Sequence, residues 1–94
     1  MNTRGIPHKT KRQYEVTFRL LSAMGSKALF DTRKFDRKKE AYQSIAFLKH
    51  DQNCDHIELV TIFRDASTND LLLLTDEVYF DRDEKTGRWT SVEM

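Results

Sequence analysis

A chain of 94 residues has room for one hydrophobic core. Its 38% hydrophobic content, with six Phe, three Tyr and one Trp, supplies bulky groups to fill that core without a metal or a disulfide. A single cysteine, Cys54, excludes an intrachain disulfide framework, and the longest purely aliphatic run, Leu71 to Leu74, is too short to cross a bilayer as a helix. The polar N-terminal residues carry no apolar secretion signal, so the cytoplasm is the expected compartment. The net charge of +1 conceals a division: residues 1–39 hold 11 Lys/Arg against 3 Asp/Glu, and residues 40–94 hold 5 against 12. Halves of +8 and −7 can build a field that steers a charged partner.

Residues 1–12, MNTRGIPHKTKR, lack hydrophobic periodicity and read as a flexible basic arm, leaving residues 13–94 as a single α+β domain. From Gln13, the residues Tyr14, Val16, Phe18 and Leu20 alternate with polar neighbours, the period-two pattern of a half-buried strand. Ser22 to Lys27 contains Gly25 and predicts a turn, so that Ala28 to Lys34 returns antiparallel to the first strand. Asp36 is the expected N-cap of a helix in which Ala41, Ile45 and Leu48 recur at i, i+4 and i+7. Tyr42 and Ala46 are expected to widen that stripe, and Asp51-Gln52-Asn53 to form the exit. His56 to Arg64 reads as a central strand, with Ile57, Leu59 and Phe63 on one face and Val60 and Ile62 on the other, a pattern that predicts cover on both sides. Ala66 to Asn69 is a polar turn, and Asp70 to Phe80 is a further strand, bulged where Asp76-Glu77 interrupts the apolar pattern. Asp81 to Gly87 is a loop, and Arg88 to Glu93 closes a last hairpin. The expected order is ββαβββ, a mostly antiparallel β-sheet with one helix packed on one face. Its core should contain Val16, Phe18, Phe35, Ala41, Ile45, Leu48, Ile57 and Leu59.

Several residue groupings invite a chemical reading. His50, Cys54 and His56 are metal-ligand types, but a structural zinc site takes four ligands and no second ligand pair occurs in the chain. The D-R-D-E-K-T-G segment at Asp81 to Gly87 has carboxylates at alternate positions, yet Lys85 stands where a third calcium ligand belongs. No nucleophile elbow, phosphate-cradling loop or zinc-protease pair is present, so neither an enzyme nor a cofactor is expected. The one enzymatic alternative is a small ribonuclease of toxin type, tested at His50 and Arg33. Two basic clusters stand out instead: Arg4, Lys9, Lys11 and Arg12 in the arm, and Arg33, Lys34, Arg37, Lys38 and Lys39 around the helix start. Clustered cations attract phosphate by releasing counterions, which makes these nine residues the expected contact surface and direct nucleic-acid binding an alternative function. Tyr79 and Trp89 could anchor an interface or complete the core.

The expected architecture, with F-D-x-x-x-E-A at Phe35 to Ala41 and K-T-G-R-W at Lys85 to Trp89, resembles that of small proteins carried by bacteriophages and mobile elements, including some anti-CRISPR inhibitors. The resemblance implies a non-enzymatic inhibitor that binds a larger protein or ribonucleoprotein complex handling nucleic acid, at its guide- or DNA-contacting surface.

Overall fold

A computed structural model describes residues 10–21 and 28–93. The elements are β1 (Thr10–Leu21), β2 (Ala28–Phe35), α1 (Lys38–Leu48), β3 (Cys54–Asp65), β4 (Leu71–Arg82) and β5 (Trp89–Glu93). They run ββαβββ, as the hydrophobic periodicity predicts. All neighbouring strands are antiparallel, in the spatial order β2-β1-β3-β4-β5.

The core lies where α1 crosses the sheet. Ala41, Ile45 and Leu48 are buried from the helix side, against Tyr14, Val16 and Phe18 of β1, Cys54, Ile57 and Leu59 of β3, and Val78 and Phe80 of β4. The expected core residues are all in this cluster except Phe35, which is half-buried at its margin. Tyr42 and Ala46 are exposed, so the helix touches the sheet along a narrower stripe than its sequence suggests.

The helix begins later than expected. Arg37, in extended geometry (φ −123°, ψ 135°), is the N-cap, and no side chain caps the free amides. The chain is still leaving β2 at Asp36, so its carboxylate comes one residue too early to cap. The other end is well tied: Lys49, His50 and Asp51 N–H groups donate to the carbonyls of Ile45, Phe47 and Leu48, at 3.0, 3.1 and 3.0 Å. Trp89 Nε1 donates to the Lys49 carbonyl at 3.2 Å, fastening β5 to the helix end. Trp89 is therefore partly buried against the core rather than an exposed anchor.

Strand length sets the outline. An 11-residue helix spans about 16 Å and a 12-residue strand about 40 Å, so α1 covers less than half the length of β1, β3 and β4. The described residues measure 56 × 21 × 19 Å. Beyond the helix start, β1, β3 and β4 continue as a three-stranded ribbon: Thr10 pairs with Asp65, Gln13 with Ile62, and Ile62 with Leu74. Thr10, Lys11 and Arg12, expected in the flexible arm, thus belong to β1, because residues 63–65 of β3 offer them a pairing edge. Residues 1–9 of that arm and the expected turn at 22–27 lie outside the described residues.

The face of the sheet opposite α1 has no covering element among the described residues. Among the described residues, the cover that Val60 and Ile62 predict on that side does not come from a second layer. The expected bulge at Asp76-Glu77 is present: Leu59 pairs with Val78 and Thr61 with Thr75, so β4 carries one extra residue opposite Val60. Asp76 takes φ 54° there, in the left-handed region. The Asp83 carboxylate accepts from the Lys85 and Thr86 amides at 2.7 and 3.1 Å, and Gly87 turns the chain at φ 74°, which makes the Asp81 to Gly87 segment a hairpin loop.

Ile45→Ala should lower unfolding free energy by about 2–5 kcal/mol in urea titrations, because the site is closed on all sides and cannot collapse around the cavity. Gln43→Ala, on the exposed side of the same helix, should change it by less than about 0.5 kcal/mol.

Candidate binding surfaces

The structure distributes the nine expected contact residues unevenly. Arg4 and Lys9 lie outside the described residues. Lys11 pairs with Arg64 on the ribbon and Arg12 with Phe63, its guanidinium 5.2 Å from the Phe63 ring centroid. Arg33 and Lys34 alternate on β2: Arg33 sits opposite Val16 on the helix side, 5.2 Å from the Phe18 ring centroid, and Lys34 sits opposite Glu15 on the open face. The Lys34 ammonium is 3.8 Å from the Glu15 carboxylate. Arg37, Lys38 and Lys39 are exposed at the helix start.

Register brings most of these groups to one corner. Phe35 pairs with Tyr14, so the chain leaves β2 for the helix at the level where β1 carries Arg12. Arg12 and Arg33 therefore lie on the helix side of that corner, where Arg37, Lys38 and Lys39 begin the helix, while Lys11 and Lys34 turn to the open face. Among the described residues none of Arg12, Arg33, Arg37, Lys38 and Lys39 forms an ion pair. Beside Arg33 a groove of about 490 Å³ runs between β2 and α1, lined by Arg33, Phe35, Glu40, Gln43, Ser44 and Phe47. Phe47 is 78% exposed, the most exposed of the large hydrophobics. The Ser44 hydroxyl is buried at the groove without a hydrogen-bond partner among the described residues. Lys38 turns the other way, with its ammonium 6.0 Å from the Tyr42 ring centroid, and lines a cleft of about 250 Å³ with Asp76, Glu77 and Glu93. The sequence division in charge thus becomes a division across the sheet, with cations around β2 and the helix start and carboxylates along β4 and β5.

A second polar constellation, on the open face, escapes sequence reading. Arg19 of β1 grips Asp55 of β3 through Nε and Nη2, at 2.8 and 2.7 Å. His56 is held between Asp81 of β4 (Nδ1 to Oδ1, 2.5 Å) and Glu58 (Nε2 to Oε2, 2.8 Å), with the Tyr79 ring stacked 6.3 Å away. The Arg19 hydrogen bonds hold the Asp55 carboxyl below its ordinary range. Partial burial disfavours the His56 cation, but the hydrogen bonds it donates to Asp81 and Glu58 outweigh it and raise the imidazole pKa. Both ring nitrogens are engaged, so His56 acts as a cationic tie between β3 and β4 and not as a free base beside a nucleophile. The polar half of each period-two strand was visible in the sequence; which of those residues meet was not.

The metal-ligand types do not converge. Cys54 is fully buried in the core and His56 faces the open side of the sheet, while His50 is exposed after the helix. Burial pushes the Cys54 thiol up, away from the thiolate that a ligand or nucleophile requires. Among the described residues no group of three His, Cys, Asp or Glu is arranged to hold a metal, and no helix is long and apolar enough to cross a membrane.

The His56 tie gives a signed pH dependence. With its folded pKa raised above an unfolded value of about 6.5, the ion pairs contribute fully below that pH and are lost as pH rises through the folded pKa. The urea midpoint should therefore fall between about pH 6.5 and the folded pKa, and His56→Gln should flatten that part of the profile. Compared with family models, curated proteins and solved structures, the chain matches none.

Proposed function

We propose that the protein is a small non-enzymatic binding module, of the kind phages and mobile elements use as anti-CRISPR or other anti-defence inhibitors. It acts in the cytoplasm and engages a larger nucleic-acid-handling complex through the corner formed by β2 and the start of α1. One observation carries this reading: among the described residues the exposed cations Arg12, Arg33, Arg37, Lys38 and Lys39 form no ion pair, and a groove bearing Phe35 and Phe47 runs beside Arg33, in a chain with ample carboxylates elsewhere. Arginine next to an exposed aromatic ring is the chemistry of interface anchors, and Phe47 and Arg33 supply it here. Arg37 at the N-cap and Lys38 and Lys39 in the first helical turn oppose the helix dipole, which Glu40 alone favours there, so the three cations do not serve the stability of the helix. A phosphate-bearing or acidic partner surface would be attracted to the same place by unscreened charge and by the uncapped helix amides.

Affinity capture with the tagged protein, with and without nuclease, tests the reading. A stable protein partner that survives nuclease supports it, whereas loss of every partner assigns the surface to direct nucleic-acid binding. Replacing Arg37, Lys38 and Lys39 together with Gln should weaken capture about tenfold or more and make the remaining affinity less steeply dependent on salt. Unfolding free energy should change by less than about 0.5 kcal/mol, in the stabilising direction. Phe47→Ala should weaken binding without altering the salt slope, since it removes apolar contact and no charge.

A further inference from the structure

The two open edges of the sheet differ in how they are guarded. β2, at one edge, carries Arg33 and Lys34, and the Asp31 carboxylate occupies the Thr32 amide at 2.8 Å. At the other edge, β5 pairs only with Val78 to Arg82, so among the described residues Leu71 to Glu77 of β4 has β3 on one side and no neighbour on the other. Leu71, Leu72, Leu73 and Leu74 along this edge are 53%, 44%, 55% and 50% exposed. Folded proteins protect open edges with Lys, Pro, inward charges, bulges or very short strands, and between Leu71 and Leu74 the only one of these is a single bulge, with no Lys, Pro or charge. The ribbon also lies beyond the reach of α1, so its leucines have no helix to pack under.

The geometry points to a second copy of this chain as the partner of this edge, paired antiparallel along Leu71 to Leu74 about a two-fold axis. β4 carries an irregularity here: Phe63 pairs with Leu73 but Arg64 with Leu71, so Leu72 is an extra residue. Leu74 lies opposite Ile62 and Leu71 opposite Arg64, and Ile62 and Arg64 share one face of β3. The bulge therefore turns Leu71 and Leu74 to the same face, which an unbroken strand would not do. Setting Leu71 opposite Leu74 of the second copy then places same-face leucines side by side at both ends of the pair, as an antiparallel ladder requires, with Leu72 and Leu73 meeting between them. This register sets Asp70 opposite Thr75, and no carboxylate faces another. Sliding one residue one way sets Asp70 against Asp76; sliding one residue the other way sets Leu71 against Leu73, which points to the opposite face. The strand is thus complementary to itself in one register and not in its neighbours. The edge offers well under the ~800 Å² per partner of a standard interface, so the dimer is weak and depends on concentration.

Sedimentation velocity of the full chain from about 10 μM to about 1 mM should show the mass rising toward twice that of the monomer. Leu72→Lys with Leu73→Lys should remain monomeric across that range with an unchanged far-UV spectrum and melting midpoint, since both positions are exposed. For the register, mixing Leu71→Cys with Leu74→Cys chains under mild oxidation should give disulfide-linked dimers faster than either chain alone, Cys54 being buried. Wild-type protein that stays monomeric at the highest concentration, or a dimer that persists in the double lysine variant, would overturn the proposal.

Discussion

The contact between the Ala41, Ile45 and Leu48 stripe and the inner face of β1, β3 and β4 is the constraint on which the rest of this structure depends. It is the only place where two layers meet among the described residues, and it must supply most of the apolar burial that offsets chain entropy. A helix of three turns can close only the part of the sheet beneath it. Everything else among the described residues follows from that length: a closed core at one end, a two-sided ribbon at the other, and a sheet face that no described element covers.

Where layer packing ends, other interactions take over the work of holding strands together. On the open face, the Arg19–Asp55 pair and the Asp81–His56–Glu58 bridge tie β1, β3 and β4 across their polar positions. Such pairs are only partly shielded from water, so they contribute register and specificity more than stability. On the ribbon, Arg12 lies over Phe63, and Ile62 is buried with no second layer over it among the described residues. The exposed leucines of β4 show where that substitution stops being sufficient.

The electrostatic layout has the same origin. Because β1 and β2 come from the basic part of the chain and β3, β4 and β5 from the acidic part, a sheet that keeps sequence neighbours adjacent also keeps the charges apart. The helix start emerges at the basic edge, and its cations remain exposed rather than being neutralised by the carboxylates of β4 and β5. Lys38 alone of that group turns toward those carboxylates, across a cleft and not in an ion pair.

Much of the architecture was legible in the residues themselves. Alternation in Tyr14 to Leu20, the i, i+4, i+7 spacing of Ala41, Ile45 and Leu48, and the break at Asp76-Glu77 are local patterns, and each marks its element because backbone period dictates which side chains share a face. The basic clusters were equally visible as composition. What the chain could not reveal locally was pairing: that Lys34 meets Glu15 while Arg33 lies over Phe18, that His56 finds Asp81 from 25 residues away, and that Thr10 to Arg12 find an edge in β3. The N-cap moved from Asp36 to Arg37 for a related reason, since β2 pairing with β1 as far as Phe35 fixes where the chain is free to turn. Periodicity is a property of consecutive residues and determined the elements and their faces; register and the reach of one short helix over long strands are properties of distant residues, and only the tertiary structure decided them.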